Sequence, residues 1–485
     1  MKRFLLFLCA VSFLLGTFGC ESAEQEENPA GEVVGTTEQS SEKPIFVVEA
    51  DLVHPEDFIY LGAFRLPGNG ERPFTFAYGG EAMTFNPDGN PGSTGDQLPG
   101  SLFVMGHNRM PYGELPDGNR VAEITIPKPV IADSTEQLPQ GEFIQDFQVI
   151  DSGIFAAYEE IPRIGMEYLD ASATGPLIHL SWGQHFHDQP STQIASHAWF
   201  NPDLSRPEVQ GSWFIGNQSL YSVNDYIFTI PVEWADLYVG GRPLATGRFR
   251  DGGWSGMGPA LFAYCPWKDE SGTPVSPNSR LEEVVLLLYE SSENTADIER
   301  NLSGYQHGDE WSGGAWLTVN MGKSAVMFAG TKSTGERYWY GFTSPDGPQH
   351  VCVESDYLGQ FTLCRMADGT PCPDESSSVC ANHSDSRGWW SNSFSGRIIL
   401  YNPADLARVV TGELEPWEPQ PYAYLDIDEH LFHNPTGVDV DTLGSGVQRR
   451  YRLGDTAYDR ENGLIYILEL FADEAKPVVH VWQLQ

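Results

Sequence analysis

Lysine is scarce in this 485-residue chain, supplying 7 of its 28 basic residues. Against 67 acidic residues this leaves a formal net charge of −39, or −41 once Lys2 and Arg3 of the N-terminal stretch are set aside. Repulsion between like charges excludes nucleic acid and an anionic membrane face as partners. A polyanionic glycan is disfavoured too, unless basic residues gather at one spot. An acidic, lysine-poor surface also suits solubility in salt water with no partner at all.

Several catalytic signatures are missing: a Gly-x-Ser-x-Gly elbow, a phosphate-binding glycine loop, a dinucleotide fingerprint and any Cys-x-x-Cys spacing. The prominent hydrophobic run, Phe4–Leu15, follows Lys2 and Arg3 and is too short to span a membrane comfortably. It reads as a secretory signal over residues 1–19. The Gly19-Cys20 end resembles a lipoprotein processing site, so Cys20 is expected to carry lipid, although Thr17 and Phe18 depart from the usual pattern. Residues 20–44, acidic and almost without bulky side chains, read as a disordered tether. The expected location is the outer membrane or the cell surface, with the lipid anchor as the sole membrane contact.

Of the seven cysteines, Cys352, Cys364, Cys372 and Cys380 crowd into 29 residues. In an exported chain they read as two disulfides stapling one loop, each closure stabilising by about 3 kcal/mol in the chain-entropy picture. The pairing 352–364 with 372–380 is the simplest of three. Cys265 is left over as a buried thiol.

What is present is a turn-rich β pattern, with 50 Gly and 34 Pro alongside 40% apolar residues. The stretch 450–485 reads as three short strands broken by Asp459–Gly463 and by Pro477. Gly-led segments like its first strand recur at 79–86, 163–170, 256–264 and 312–319, and again at 452–459. Glycine fits where inner strands crowd around a common axis, as in a β-propeller. The sequence therefore predicts one all-β domain over 45–485, a five-bladed β-propeller whose last blade is completed by the N-terminal strand 58–66. Six or seven blades are the alternatives if the 140-residue gap before 452 holds more. Short helices are expected from Pro231 to Val239 and from Pro403 to Thr411, and a Cys-rich insertion at about 350–395.

The stretches YLGAFRLP (60–67), GSLFVMGHNR (100–109), VAEITIPKPV (121–130), IPVEWADLYVGGRPLATG (230–247), GPALFAYCP (258–266), ILYNPADL (399–406), EPWEPQPYAYLDI (415–427) and the closing LGDTAYD and KPVVHVWQL carry a resemblance. They resemble a family of secreted bacterial proteins known as uncharacterised β-propellers. The resemblance implies the architecture and transfers no catalytic residue.

A propeller's mouth is its default ligand site. Glu81, Glu167 and Asp455 fall in three of the five inner segments, where paired carboxylates would serve glycoside hydrolysis. The competing reading is that each binds a neighbouring backbone N–H. His107, at a strand end, is either a mouth-lining acid/base or a histidine satisfying a buried turn. Arg250, Trp254, His307 and Trp311 combine ring faces with hydrogen-bonding groups, as a sugar site requires, although large β proteins also bury tryptophan between blades. His185, His187 and His197 form the candidate for a divalent metal, set against ordinary loop histidines. The functional expectation is an anchored, monomeric propeller that binds a glycan or another small ligand and is able to hydrolyse a carbohydrate. A non-catalytic scaffold is the alternative. A lyase using His107, Tyr158 and Arg250 is a further one, disfavoured by the charge.

Overall fold

A computed structural model describes residues 47–485 except 69, 94, 108–117, 155–162, 184–194, 219–221, 249–255, 267–274, 291–299, 307, 320–321, 340–352, 355–361, 364–388 and 434–445. Five antiparallel sheets radiate from one axis, each beginning with an inner strand. The first blade is Met83–Asn86, Gln97–Met105, Arg120–Pro127 and Phe143–Val149. The second is Arg163–Ala171, Gly175–Gly183, His197–Phe200 and Gln210–Ile215. Ile227–Thr229, Leu244–Thr246, Ala260–Tyr264 and Glu283–Leu288 make the third. The fourth is Glu310–Thr318, Lys323–Trp339, Trp389–Tyr401 and Ala423–Asp426.

The fifth blade joins the two ends of the chain. Leu453–Asp459, Leu464–Asp473 and Lys476–Leu484 are completed by Phe58–Arg65, which pairs antiparallel with Lys476–Leu484 from Phe58↔Leu484 to Arg65↔Val478. The expected closing strand is therefore the observed one, and the 140-residue gap holds the rest of the fourth blade instead of a sixth.

One inner strand differs from expectation. The third blade starts with Ile227–Thr229, and Ala260–Tyr264 is its third strand. Gly256 crowds its own blade, since a Cβ there would lie 2.0 Å from the Tyr289 carbonyl. It does not face the axis. The signal that does mark an axis-facing glycine is sound at Gly454, where a Cβ would meet Gly80 O of the first blade at 2.0 Å.

Neighbouring blades trap five apolar layers, one per interface. Phe85, Leu102, Tyr466 and Val481 pack between the first and fifth blades, and Phe228, Trp316 and Phe328 between the third and fourth. The two helices form at Val232–Tyr238 and Pro403–Thr411. Asn402 caps the second by accepting from Ala404 N at 2.9 Å, and Gly412 ends it at φ 76°. Leu406 and Ala407 of that helix cover Leu286 and Leu287, so the third blade's outermost strand is apolar.

The start of the first inner strand and the 473–476 hairpin of the fifth blade meet at one end of the ring, where Tyr78 N donates to Ala475 O at 2.7 Å. This end is the mouth.

Candidate functional site

The inner strands bring Glu81, Glu167 and Asp455 together from the first, second and fifth blades. Asp455 lies beside Met83, whose N–H donates to Oδ2 at 2.8 Å, and Thr456 N donates to Oδ1 at 2.7 Å. Glu167 bridges the other way. Thr229 N of the third blade donates to Oε1 at 2.9 Å and Thr84 Oγ1 of the first to Oε2 at 3.2 Å. Glu81, 7% exposed, precedes the first inner strand on its mouth side. Asp455 and Glu167 stitch neighbouring strands by accepting backbone N–H bonds, which is the competing reading of these carboxylates.

Burial is the largest influence on the acidity of Glu167 and Asp455. Burial pushes Glu167 up to about 7, opposed by the bonds from Thr229 and Thr84 and by the Arg460 charge. Asp455 is pushed well above the ordinary carboxyl range by burial, and the negative charges of Glu167 and Glu81 add to it. Among the described residues no three His, Cys, Asp or Glu side chains gather as a metal would need.

Glu167 carries a stability consequence. An unfolded glutamate ionises near 4.5, whereas the folded carboxyl holds its proton to about 7. Its stabilising protonated form is complete below 4.5 and lost as the pH rises through 7, a change of about 3 kcal/mol. His179 and His197 act in the opposite sense. Burial holds both near 3, so they withdraw stability as pH falls below 6.5. Glu167→Gln is therefore expected to gain on the wild type between pH 5 and 8 in urea unfolding. A gap that stays constant over that range would mean that Glu167 has an ordinary acidity.

The remaining candidates divide. Trp311 is 1% exposed and packs in the apolar layer between the third and fourth blades, so it is no stacking platform at the mouth. His107 is buried at the mouth with Nδ1 2.8 Å from Ala77 O, the turn-satisfying arrangement. His197 places Nδ1 2.9 Å from Ser196 Oγ and Nε2 3.0 Å from Thr246 Oγ1. Both ring nitrogens are thereby engaged with hydroxyls, which leaves no lone pair for a metal. Arg250, Trp254, His307, His185, His187, Tyr158 and Cys20 lie outside the described residues. So do Cys352, Cys364, Cys372 and Cys380. Cys265 is disulfide-bonded, which replaces the free thiol expected from its isolated position.

Sequence reasoning missed several polar residues because their partners are remote. Arg460 lies at the far end of the axis from the mouth, donating to Thr318 Oγ1 at 2.8 Å and to Thr229 Oγ1 at 3.3 Å. Glu469, His480 and Tyr60 form a chain across the fifth blade, with His480 Nε2 2.9 Å from Glu469 and Nδ1 2.9 Å from the Tyr60 hydroxyl. Tyr78, Phe471 and Tyr451 cluster at the mouth. The one sequence signal for this region was the basic run Arg449-Arg450-Tyr451-Arg452 ahead of the last inner strand.

No known family model and no curated protein matches the chain. Among solved structures, one described as "Structure of Dos1 propeller" is similar at a TM-score of 0.23 and 6% identity. The match covers 79% of this chain and 65% of that one. The five-bladed assignment rests on the strand pairing.

Proposed function

We propose that this protein is a ligand-binding propeller that takes a carbohydrate at its mouth. The observation that carries the reading is the convergence of Glu81, Glu167 and Asp455 from three blades, close enough for the first two to perturb the third. Carboxylates and partly buried aromatic rings, here Tyr78 and Tyr451 packed on Phe471, are the groups that recognise sugar hydroxyls and sugar faces. Binding is favoured over cleavage because Asp455 and Glu167 commit their oxygens to neighbouring strands. Hydrolysis is the second reading, favoured by Glu167, whose pKa of about 7 suits a general acid. The proposal extends to anchoring through a lipid on Cys20 at the cell surface.

A glycan array combined with a polysaccharide-digestion screen tests both readings. Glu81→Gln is the informative variant. Asp455→Asn would turn an amide N–H₂ toward Met83 N or Thr456 N and destabilise the ring by about 1–3 kcal/mol. The expected result is binding without turnover, weakened about 10-fold in Glu81→Gln, equivalent to about 1.4 kcal/mol. Turnover by the wild type that disappears in the variant would establish hydrolysis. Absence of binding to every glycan would leave a scaffold.

A further inference from the structure

Arg449 lies four residues ahead of the last inner strand, Leu453–Asp459, and stacks on Phe471 at the mouth. Its side chain is 2% exposed, and among the described residues neither terminal nitrogen has a hydrogen-bond partner. The guanidinium lies over the Phe471 ring at 5.0 Å, and Phe471 meets Tyr78 edge-on at 6.0 Å. Glu469 attracts the charge without a hydrogen bond to either terminal nitrogen. His480 and Phe432 N occupy Oε2, and His433 N occupies Oε1. Neighbouring Arg452 differs in that both terminal nitrogens are bonded, to Asp428 and to the carbonyls of Gly446 and Val447.

Burying a cation with empty donors destabilises a fold. Burial pulls Arg449 down to about 10, which still leaves it charged at neutral pH. In a chain of net charge −39 a cation without a bonded partner is conspicuous. We infer that Arg449 receives an oxyanion carried by the ligand, a carboxylate or a sulfate ester on a sugar. The planar fork of a guanidinium matches two such oxygens, and the Phe471 and Tyr78 rings supply an apolar wall beside it. The inference rests on the carbohydrate reading and narrows it to acidic sugars. Repulsion by the acidic surface elsewhere would confine the anionic group to this place.

The test uses the full chain, titrated calorimetrically with trigalacturonate, a sulfated galactan oligosaccharide and a neutral galactose trisaccharide. Inorganic sulfate is followed by thermal melting. An acidic probe is expected to bind at least 10-fold more tightly than the neutral one, and Arg449→Gln should abolish that preference. Arg449→Lys, which keeps the charge and loses the fork, should retain part of it. Whichever acidic probe binds better identifies carboxylate or sulfate as the group. Sulfate should raise the melting temperature of the wild type and leave that of Arg449→Gln unchanged. If the variant responds to every probe as the wild type does, the oxyanion site is refuted, whatever sugars bind. If no sugar binds yet the sulfate response depends on Arg449, the site stands and the carbohydrate reading falls. Should Arg449→Gln fail to fold, Arg449→Lys carries the same comparison, and equal probe binding by it and the wild type refutes the fork.

Discussion

A chain lacking Phe58–Arg65 is expected not to reach a stable folded state. That strand supplies the outer ladder of the fifth blade and buries Phe58, Ala63 and Phe64. The two phenylalanines alone contribute about 3–6 kcal/mol by burial, a large part of the roughly 5–15 kcal/mol that holds a domain together. Its removal also bares the edge of Lys476–Leu484, an invitation to aggregate. Circular dichroism and urea titration of the truncated chain should show lost cooperativity. A synthetic peptide spanning 55–67 should restore it, because an added strand recovers the same main-chain bonds. Unchanged melting of the truncated chain would refute ring closure by this strand.

The second large effect is expected at Lys332. Its ammonium contacts both Asp309 oxygens, at 2.9 and 3.0 Å, and donates to Gly304 O and Ser333 O. Both side chains are buried, 9% and 0% exposed. Lys332→Met takes the cation from Asp309, leaving its charge to Gln306 N and Ser333 N, and takes this donor from two carbonyls, which should cost about 3–5 kcal/mol. Burial already pushes Asp309 up despite Lys332, so the deficit should shrink in acid as the carboxyl takes a proton. Adding Asp309→Asn to Lys332→Met should recover much of the loss. A single variant within 1 kcal/mol of the wild type at pH 7 would show that this pair is not what secures the start of the fourth blade's inner strand.

These two features were unequally legible in the sequence. The closing strand could be read because FIYLGAFR is an apolar run followed closely by Pro67. The helix Pro403–Thr411 could be read from Asn402 and Gly412 at its limits. Lys332 and Asp309 stand 23 positions apart, Asp309 just ahead of one strand and Lys332 within the next, and no local pattern links them. The third inner strand escaped because Ile227–Thr229 is three residues long, lacks glycine and runs straight into the helix Val232–Tyr238. Gly256 and Gly258 drew attention to the wrong strand, since a glycine marks a close approach without saying to what.

The candidate site shows the same limit. Glycine placement drew attention to Glu81, Glu167 and Asp455, the last two on inner strands and Glu81 just ahead of one. It could not foresee that backbone N–H groups of other blades would occupy Asp455 and Glu167, which depends on how far each strand slides along the axis. Trp311 has the same composition signal in a core as at a sugar site, and burial separates the two.

The fifth blade also has a consequence for synthesis. The Tyr60 hydroxyl meets His480 across 420 positions of sequence, so a strand made near the start must wait for the last one. At about 5–20 residues per second that wait lasts roughly 20–80 s. During it, Phe58 and Phe64 are bare and the nascent ring is open. A ribosome-bound chain stalled before residue 476 should accordingly be captured by holdase chaperones, and one released in full should escape them.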